Sequence, residues 1–302
     1  MTVVDVNRML GPLPYDEVPS RDCAGLLREL DRLRIDSAYV THTHAVYGDP
    51  RDGNAALPDG GGRLRPVPVL VPGPLGTEGP AGVPPGGPVR LCPAEHRWSL
   101  TGTHSFALAA RLAARRTTVL LGLDSAGGDE IRRFADAEPE LRIVLTDTGY
   151  RRLRELAELM DVRHEVYLDT STLGGHLQVE WFAERFGAHR VLFGTGAPVT
   201  DDAGPRYQLD TLELPDEDRA LIAGGNALRL FGAGGSRTDG ADVTEPTEGM
   251  EGAGGTEGAE GMNAGNGYGY GGGERDGRVP DGDRPPGRSP GRAHGGDPGA
   301  AR

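Results

Sequence analysis

Eight apolar, strand-like runs alternating with helix-like ones predict a (β/α)8 TIM-like barrel, with a reduced third helix and a disordered Gly-rich C-terminal tail. Three observations carry this. The alternation itself implies a parallel sheet covered on both faces. Eight strands favour a closed barrel over an open doubly wound sheet, and no Gly-x-Gly-x-x-Gly follows the first strand. The third is a break in composition after Phe231: from Gly232 to Arg302 there is no Leu, Ile, Phe or Trp.

The elements follow in order along the chain. Residues 2–9 are short, apolar and β-branched, and Gly11-Pro12 ends them. Ser20 offers an N-cap for a first helix in which Leu26, Leu27, Leu30 and Leu33 recur at helical spacing. Residues 37–43 and 64–71 read as the second and third strands, and residues 89–92 as a short fourth. The stretch 72–88 is too rich in Gly and Pro to hold a helix. A helix over 106–115 precedes strand five (117–123), whose own helix covers 129–137. Strand six (141–146) leads to a helix over 152–160, and strand seven (166–170) to one over 179–186. Strand eight spans 191–195, and residues 216–231 supply the closing helical region, with Asn226 as an N-cap.

The barrel domain therefore covers residues 1–232. The remainder, 233–302, cannot bury enough apolar surface to offset the entropy of ordering it, and reads as a disordered tail. A net charge of -13 over 302 residues argues against nucleic acid as a partner. All 32 basic residues are Arg. Without Lys, Schiff-base catalysis, a carbamylated-Lys metal bridge and a P-loop are excluded. Cys23 and Cys92, with no Cys-x-x-Cys spacing, read as reduced and mostly buried thiols. No leader-like start and no membrane-length apolar run is evident, so no membrane partner and a cytoplasmic location are expected.

Several stretches resemble the amidohydrolase-related superfamily, specifically its metal-dependent hydrolase/decarboxylase branch. They are 64–69 and 89–93, then Val166-Tyr167-Leu168-Asp169-Thr170-Ser171, then 186–198 with Leu192-Phe193-Gly194-Thr195-Gly196, and finally Gly224-Gly225-Asn226-Ala227. The resemblance implies hydrolysis or decarboxylation of small organic acids or cyclic amides, and often a homodimer. It also implies a metal held by Asp-x-His-x-His on strand one, a His on each of strands five and six, and an Asp on strand eight. Here the corresponding places carry Asn7 and Met9, Gly122, Asp147 and Gly196, a degenerate metal site.

Against that background no metal cofactor is expected, unless one has moved to His42 and His44, whose alternation on strand two aims both rings one way, with Asp5 and Asp169 as partners. Glu95, His96 and Asp147 are the candidate acid–base residues, with Asp124 a further mouth-facing carboxylate. Asn7, Arg90 and Asp169 are the candidate substrate-binding residues, the Arg90 guanidinium suiting a carboxylate. His176 and Glu180 read as an exposed pair. Two readings stand: a ligand-binding or regulatory pseudoenzyme, or a metal-independent hydrolase or decarboxylase. An active metal-dependent hydrolase relocated to His42 and His44 is the alternative.

Overall fold

Eight parallel strands form the wall seen in the computed structural model, which describes residues 1–77 and 87–232. They are β1 (Val4–Leu10), β2 (Ser37–His42), β3 in two pieces (Leu64–Pro66 and Val69–Leu70), β4 (Pro88–Leu91), β5 (Thr118–Gly122), β6 (Ile143–Thr146), β7 (Val166–Asp169) and β8 (Val191–Leu192). Each pairs in parallel with the next. The break in β3 has a covalent cause, since Pro66 and Pro68 have no N–H to give. The sheet still crosses it: Val67 N donates to Val40 O at 2.8 Å, and Arg90 N to Pro68 O at 2.9 Å. Closure comes from Val6 N to Phe193 O at 3.0 Å and Gly196 N to Asn7 O at 2.8 Å, which tie β1 to the chain around β8. The barrel is closed.

β1 contains the irregularity that matters most for the site. Asp5 pairs with Ala38 but Arg8 with Val40, so three steps on β1 match two on β2. Such a bulge places two residues against one and resets the alternation. Val4 and Val6 join the inward cluster with Tyr39, Val67, Leu120, Val144, Tyr167 and Leu192. Asp5 and Arg8, three residues apart, end on the same outer side, 3.8 Å from one another. Asn7 and Met9, two residues apart, share a face and reach the interior, although plain alternation from Val4 and Val6 would turn them outward: the bulge brings them in. Asp5 does not join them, so it cannot serve with Asp169 as a carboxylate partner for a metal at His42 and His44: it accepts from Thr195 Oγ1 at 2.6 Å and lies against Arg8 instead.

Helices pack outside. Cys23–Arg32 buries Leu26 and Leu30, and each fully buried leucine contributes about 1.5–3 kcal/mol. Its N-cap is Asp22, whose carboxylate accepts from Gly25 N at 2.7 Å, and not Ser20, which sits in the preceding 3-10 turn. Cys23 is exposed, contrary to expectation, whereas Cys92 is buried. Thr103–Ala114, Gly128–Ala137, Leu153–Val162 and Gln178–Phe186 follow strands β4 to β7. Three helices escaped the pattern: Thr43–Tyr47, Pro50–Ala55 and Ala203–Thr211. Their few apolar positions give no periodic stripe to read.

The closing region runs from Asp216 to Phe231 and covers the bottom of the barrel, where Tyr39 and Phe231 meet edge-on with centroids 4.7 Å apart. Asn226 lies inside it, fully buried, and its Nδ2 donates to Ala188 O and Val191 O at 2.8 Å each. It fastens the helix to β8 rather than capping it. Residues 71–77 hold bends and turns and no helix; the rest of the stretch expected to lack a third helix, 78–86, lies outside the described residues, as does the expected tail, 233–302. No helix among the described residues is long and apolar enough to cross a membrane.

Candidate functional site

Above the apolar floor of the barrel comes a polar layer. The Arg90 guanidinium of β4 donates from Nη2 to Asn7 Oδ1 at 2.6 Å and from Nε to Thr41 Oγ1 at 3.1 Å. Asn7 in turn donates from Nδ2 to Asp169 Oδ2 at 2.9 Å, and Ser171 Oγ donates to Asp169 Oδ1 at 2.9 Å. Strands β1, β2, β4 and β7 are thus stitched across the interior. Gly194 makes room for the stitch, because a Cβ there would stand 2.4 Å from Asp169 Oδ2 and 3.1 Å from Asn7 Cβ. Burial, reinforced by the nearby Asp147 charge, pushes the Asp169 carboxyl up to about 8, so it holds its proton at neutral pH.

Over this layer opens a cavity of about 230 Å3 at the C-terminal ends of the strands. Its walls include Met9, Tyr47, Arg90, Cys92, Glu95, Asp124 and Asp147. Two carboxylates converge above β5, where Gly122 has no side chain to exclude them. A Cβ on Gly122 would lie 2.8 Å from Asp124 Oδ1 and 3.6 Å from Asp147 Oδ2. Asp147 adopts a left-handed φ of 52° and accepts Thr146 Oγ1 at 3.0 Å. Glu95 accepts from Ser125 Oγ at 3.0 Å. Asp124 is exposed at the mouth, yet partial burial of its carboxyl and then the Asp147 charge raise it above its ordinary range. The Tyr47 hydroxyl is raised by burial, with Glu95 and Asp147 adding to it. The Cys92 thiol is pushed up to about 12 by burial, so it stays protonated and non-nucleophilic.

Arg90 is the unusual member. It is 4% exposed, yet its two bonded partners are neutral and no described carboxylate pairs with it. Its Nη1 carries no bond among the described residues while the side chain lines the cavity. Buried cations are ordinarily paired.

Of the sequence candidates, Glu95, Asp147 and Arg90 meet in this cavity. Asn7 and Asp169 lie beneath it and hold Arg90 and each other. His96 does not reach it: Nε2 bonds Ala45 O at 3.0 Å, because the chain turns back at His96 N to Cys92 O. His42 and His44 do not line it either. β2 stops at His42, and Thr43 already begins a helix, so the alternation that would have aligned the two rings ends between them. His42 Nδ1 instead accepts from His44 N at 3.1 Å, and His44 is exposed. Burial and the neighbouring His44 lower the His42 pKa. Among the described residues no three His, Cys, Asp or Glu side chains gather closely enough to hold a metal ion. Glu180 proves buried, accepting from Glu213 N at 3.2 Å, so it is no surface pair with His176. Tyr47 escaped sequence reading, since it lies on the short helix after β2 that gave no periodic signal.

A wider groove of about 700 Å3 adjoins the mouth through Thr172 and Thr200, between the loop after β7 and the helix Ala203–Thr211. It is larger, but the converging charged groups stand in the smaller cavity at the strand ends, where barrels of this kind keep their chemistry.

Residues 70–233 match the sequence profile of the family described as Amidohydrolase. No curated protein matches the chain. Among solved structures it is similar to an uncharacterised TIM-barrel protein from Bordetella bronchiseptica, at 16% identity and a TM-score of 0.59, over 76% of this chain and 98% of that one. It is similar to 5-carboxyvanillate decarboxylase from Sphingomonas paucimobilis at 14% identity and a TM-score of 0.55, again over 76% and 98%. A dihydroxybenzoic acid decarboxylase from Polaromonas, solved with bound manganese and 2-nitroresorcinol, shares 15% identity and a TM-score of 0.51 over 76% and 96%. These likenesses establish the barrel.

Proposed function

The chain belongs to the amidohydrolase family, and from that premise we propose that its barrel binds a small organic acid without a metal, as a ligand-binding member that has left its relatives' chemistry. One observation carries the reading: a buried guanidinium, Arg90, lines the mouth with no carboxylate paired to it among the described residues. A carboxylate is the counter-charge such a group lacks, and arginine binds carboxylates in a planar, two-point fashion.

The residues present do not fit the family's divalent ion. Asn7 and Met9 stand where two imidazoles would converge, and Gly122 and Gly196 offer no donor. Asn7 Oδ1 is already bonded to Arg90, and a metal placed there would lie against a guanidinium. The experiment is a thermal-shift screen of small carboxylates in the presence of a chelator, on the wild type and on Arg90→Met. At least one acid should raise the melting temperature of the wild type and leave Arg90→Met unmoved. Acids that act equally on both proteins, or only after metal is added, would refute the reading.

A second reading is favoured by Glu95 and Asp147 lining the same cavity as Arg90. With a raised Asp124 beside them, they form a carboxylate set able to divide acid and base roles in metal-independent hydrolysis or decarboxylation. Incubating each stabilising acid with the protein and following its disappearance separates the two readings. Turnover lost in Asp147→Asn supports the enzyme, and an unchanged ligand supports the binder.

A further inference from the structure

The charge around Arg90 narrows the acid to a class. Arg90 is a single buried cation at the inner end of the cavity, and Glu95, Asp124 and Asp147 are three carboxylates on its walls. Asp124 and Asp147 approach one point, the open space over Gly122, where a Cβ would meet both. A simple acid seated on Arg90 would be held at one end and repelled by three carboxylates at the other. A simple amine would be attracted by the carboxylates and repelled by Arg90. A molecule with both charges satisfies both ends.

We propose that the mouth is a receptor for a small amino acid or related amino carboxylate, its carboxylate on Arg90 and its ammonium between Asp124 and Asp147. This rests on the reading that the mouth binds an acid through Arg90, and adds the second pole. The size agrees. A cavity of about 230 Å3 has room for roughly seven or eight water-sized groups, which suits a chain of a few carbons between the charges and excludes a peptide. Nη1 of Arg90, without a bond among the described residues, supplies the second donor of a two-point contact. The ammonium pole explains why three carboxylates are tolerated around one cavity: partial burial and the Asp147 and Glu95 charges hold the Asp124 carboxyl above its ordinary range, and a cation arriving between them relieves that cost.

The test is calorimetric titration of glycine, β-alanine, 4-aminobutyrate and 5-aminopentanoate, each beside the acid that lacks the amine, into the full chain in chelator. Three proteins are compared: wild type, Asp124→Asn/Asp147→Asn and Arg90→Met. Asn at 147 keeps an amide oxygen able to accept from the buried Thr146 Oγ1, so the double variant is expected to fold, which circular dichroism checks. One amino acid should bind the wild type at least about tenfold more tightly than its deaminated partner, as expected when an ammonium is shared by two carboxylates that otherwise repel the acid. The double variant should erase that difference while retaining the acid, and Arg90→Met should lose both. If the deaminated acid binds as tightly as the amino acid, the ammonium pole is wrong while acid binding stands. If no acid binds, or Arg90→Met binds as well as the wild type, both the receptor and the acid-binding reading fall.

Discussion

Two buried arginines, Arg8 and Arg90, stand on adjacent parts of the same barrel and are treated oppositely by it. Arg8, fully buried, points out of the wall into a cluster of carboxylates, although its Nε finds no acceptor among the described residues. Nη2 donates to Glu29 at 2.8 Å and Asp202 at 3.0 Å, Nη1 donates to Thr195 Oγ1 at 3.1 Å, and Asp5 lies 3.8 Å away. Arg32 adds a second cation to Asp202 at 2.9 Å. Arg90 points inward, has only neutral acceptors among the described residues, and lines a cavity. The first arrangement has its counter-charges without a ligand and ties β1 to its helix and to the loop after β8. The second is incomplete as it stands. A buried charge with its counter-charges present belongs to the fold; a buried charge without them belongs to a site.

Breaking the first arrangement should have the largest effect. Arg8→Ala leaves the buried Asp5 without its cation and Glu29 and Asp202 with only the half-exposed Arg32, and urea unfolding should show a loss of about 3–5 kcal/mol. A loss below about 1 kcal/mol would mean that the clamp is ornamental. Arg90→Met should behave differently. Removing an unpaired buried cation offsets the loss of its two hydrogen bonds, so stability should change by no more than about 1 kcal/mol either way. The same variant should lose all stabilisation by acids.

The Asp169 carboxyl sharpens the contrast through pH. Its pKa is raised from 3.8 unfolded to about 8 folded, so between these values the native chain holds more protons than the unfolded one. Stability is therefore full below the lower value and falls as pH rises through the upper one. Asp5, also raised by burial, although Arg8 opposes it, contributes the same sign. Asp169→Asn should flatten the decline seen when melting temperature is followed from acid to mildly alkaline pH. An unchanged slope would show that Asp169 is ionised in the native barrel. The smallest expected effect is Gly122→Ala: its Cβ would press on Asp124 Oδ1, the movable end of an exposed side chain. Stability should shift by less than about 0.5 kcal/mol, as for surface changes. Ligand affinity should still fall, because the space between the two carboxylates is narrowed.

Much of this was legible in the residues, and the exceptions share a cause. The shared face of Asn7 and Met9, the mouth position of Asp147 and the guanidinium of Arg90 all follow from short stretches of strand whose ends are marked by Gly or Pro. What escaped depends on where alternation stops. The bulge on β1 parts Asp5 from the face of Asn7 and Met9, and nothing in the run Asp5-Val6-Asn7-Arg8 announces it. The immediate start of a helix at Thr43 separates His42 from His44, since Thr is as much at home at a strand end as at a first helical turn. Asn226 looked like a cap because asparagine usually is one; its burial against β8 is set by contacts some 35 residues away in sequence. Arg8 carried no signal, being one arginine among 32 whose partners come from three distant segments.

The most direct test of the account is the dissociation constant of the best-binding acid, measured by calorimetry in chelator and again with excess manganese, on the wild type and on Arg90→Met. The account predicts the same constant in both conditions and no binding to the variant. Binding that requires manganese, or that survives loss of the guanidinium, would contradict it.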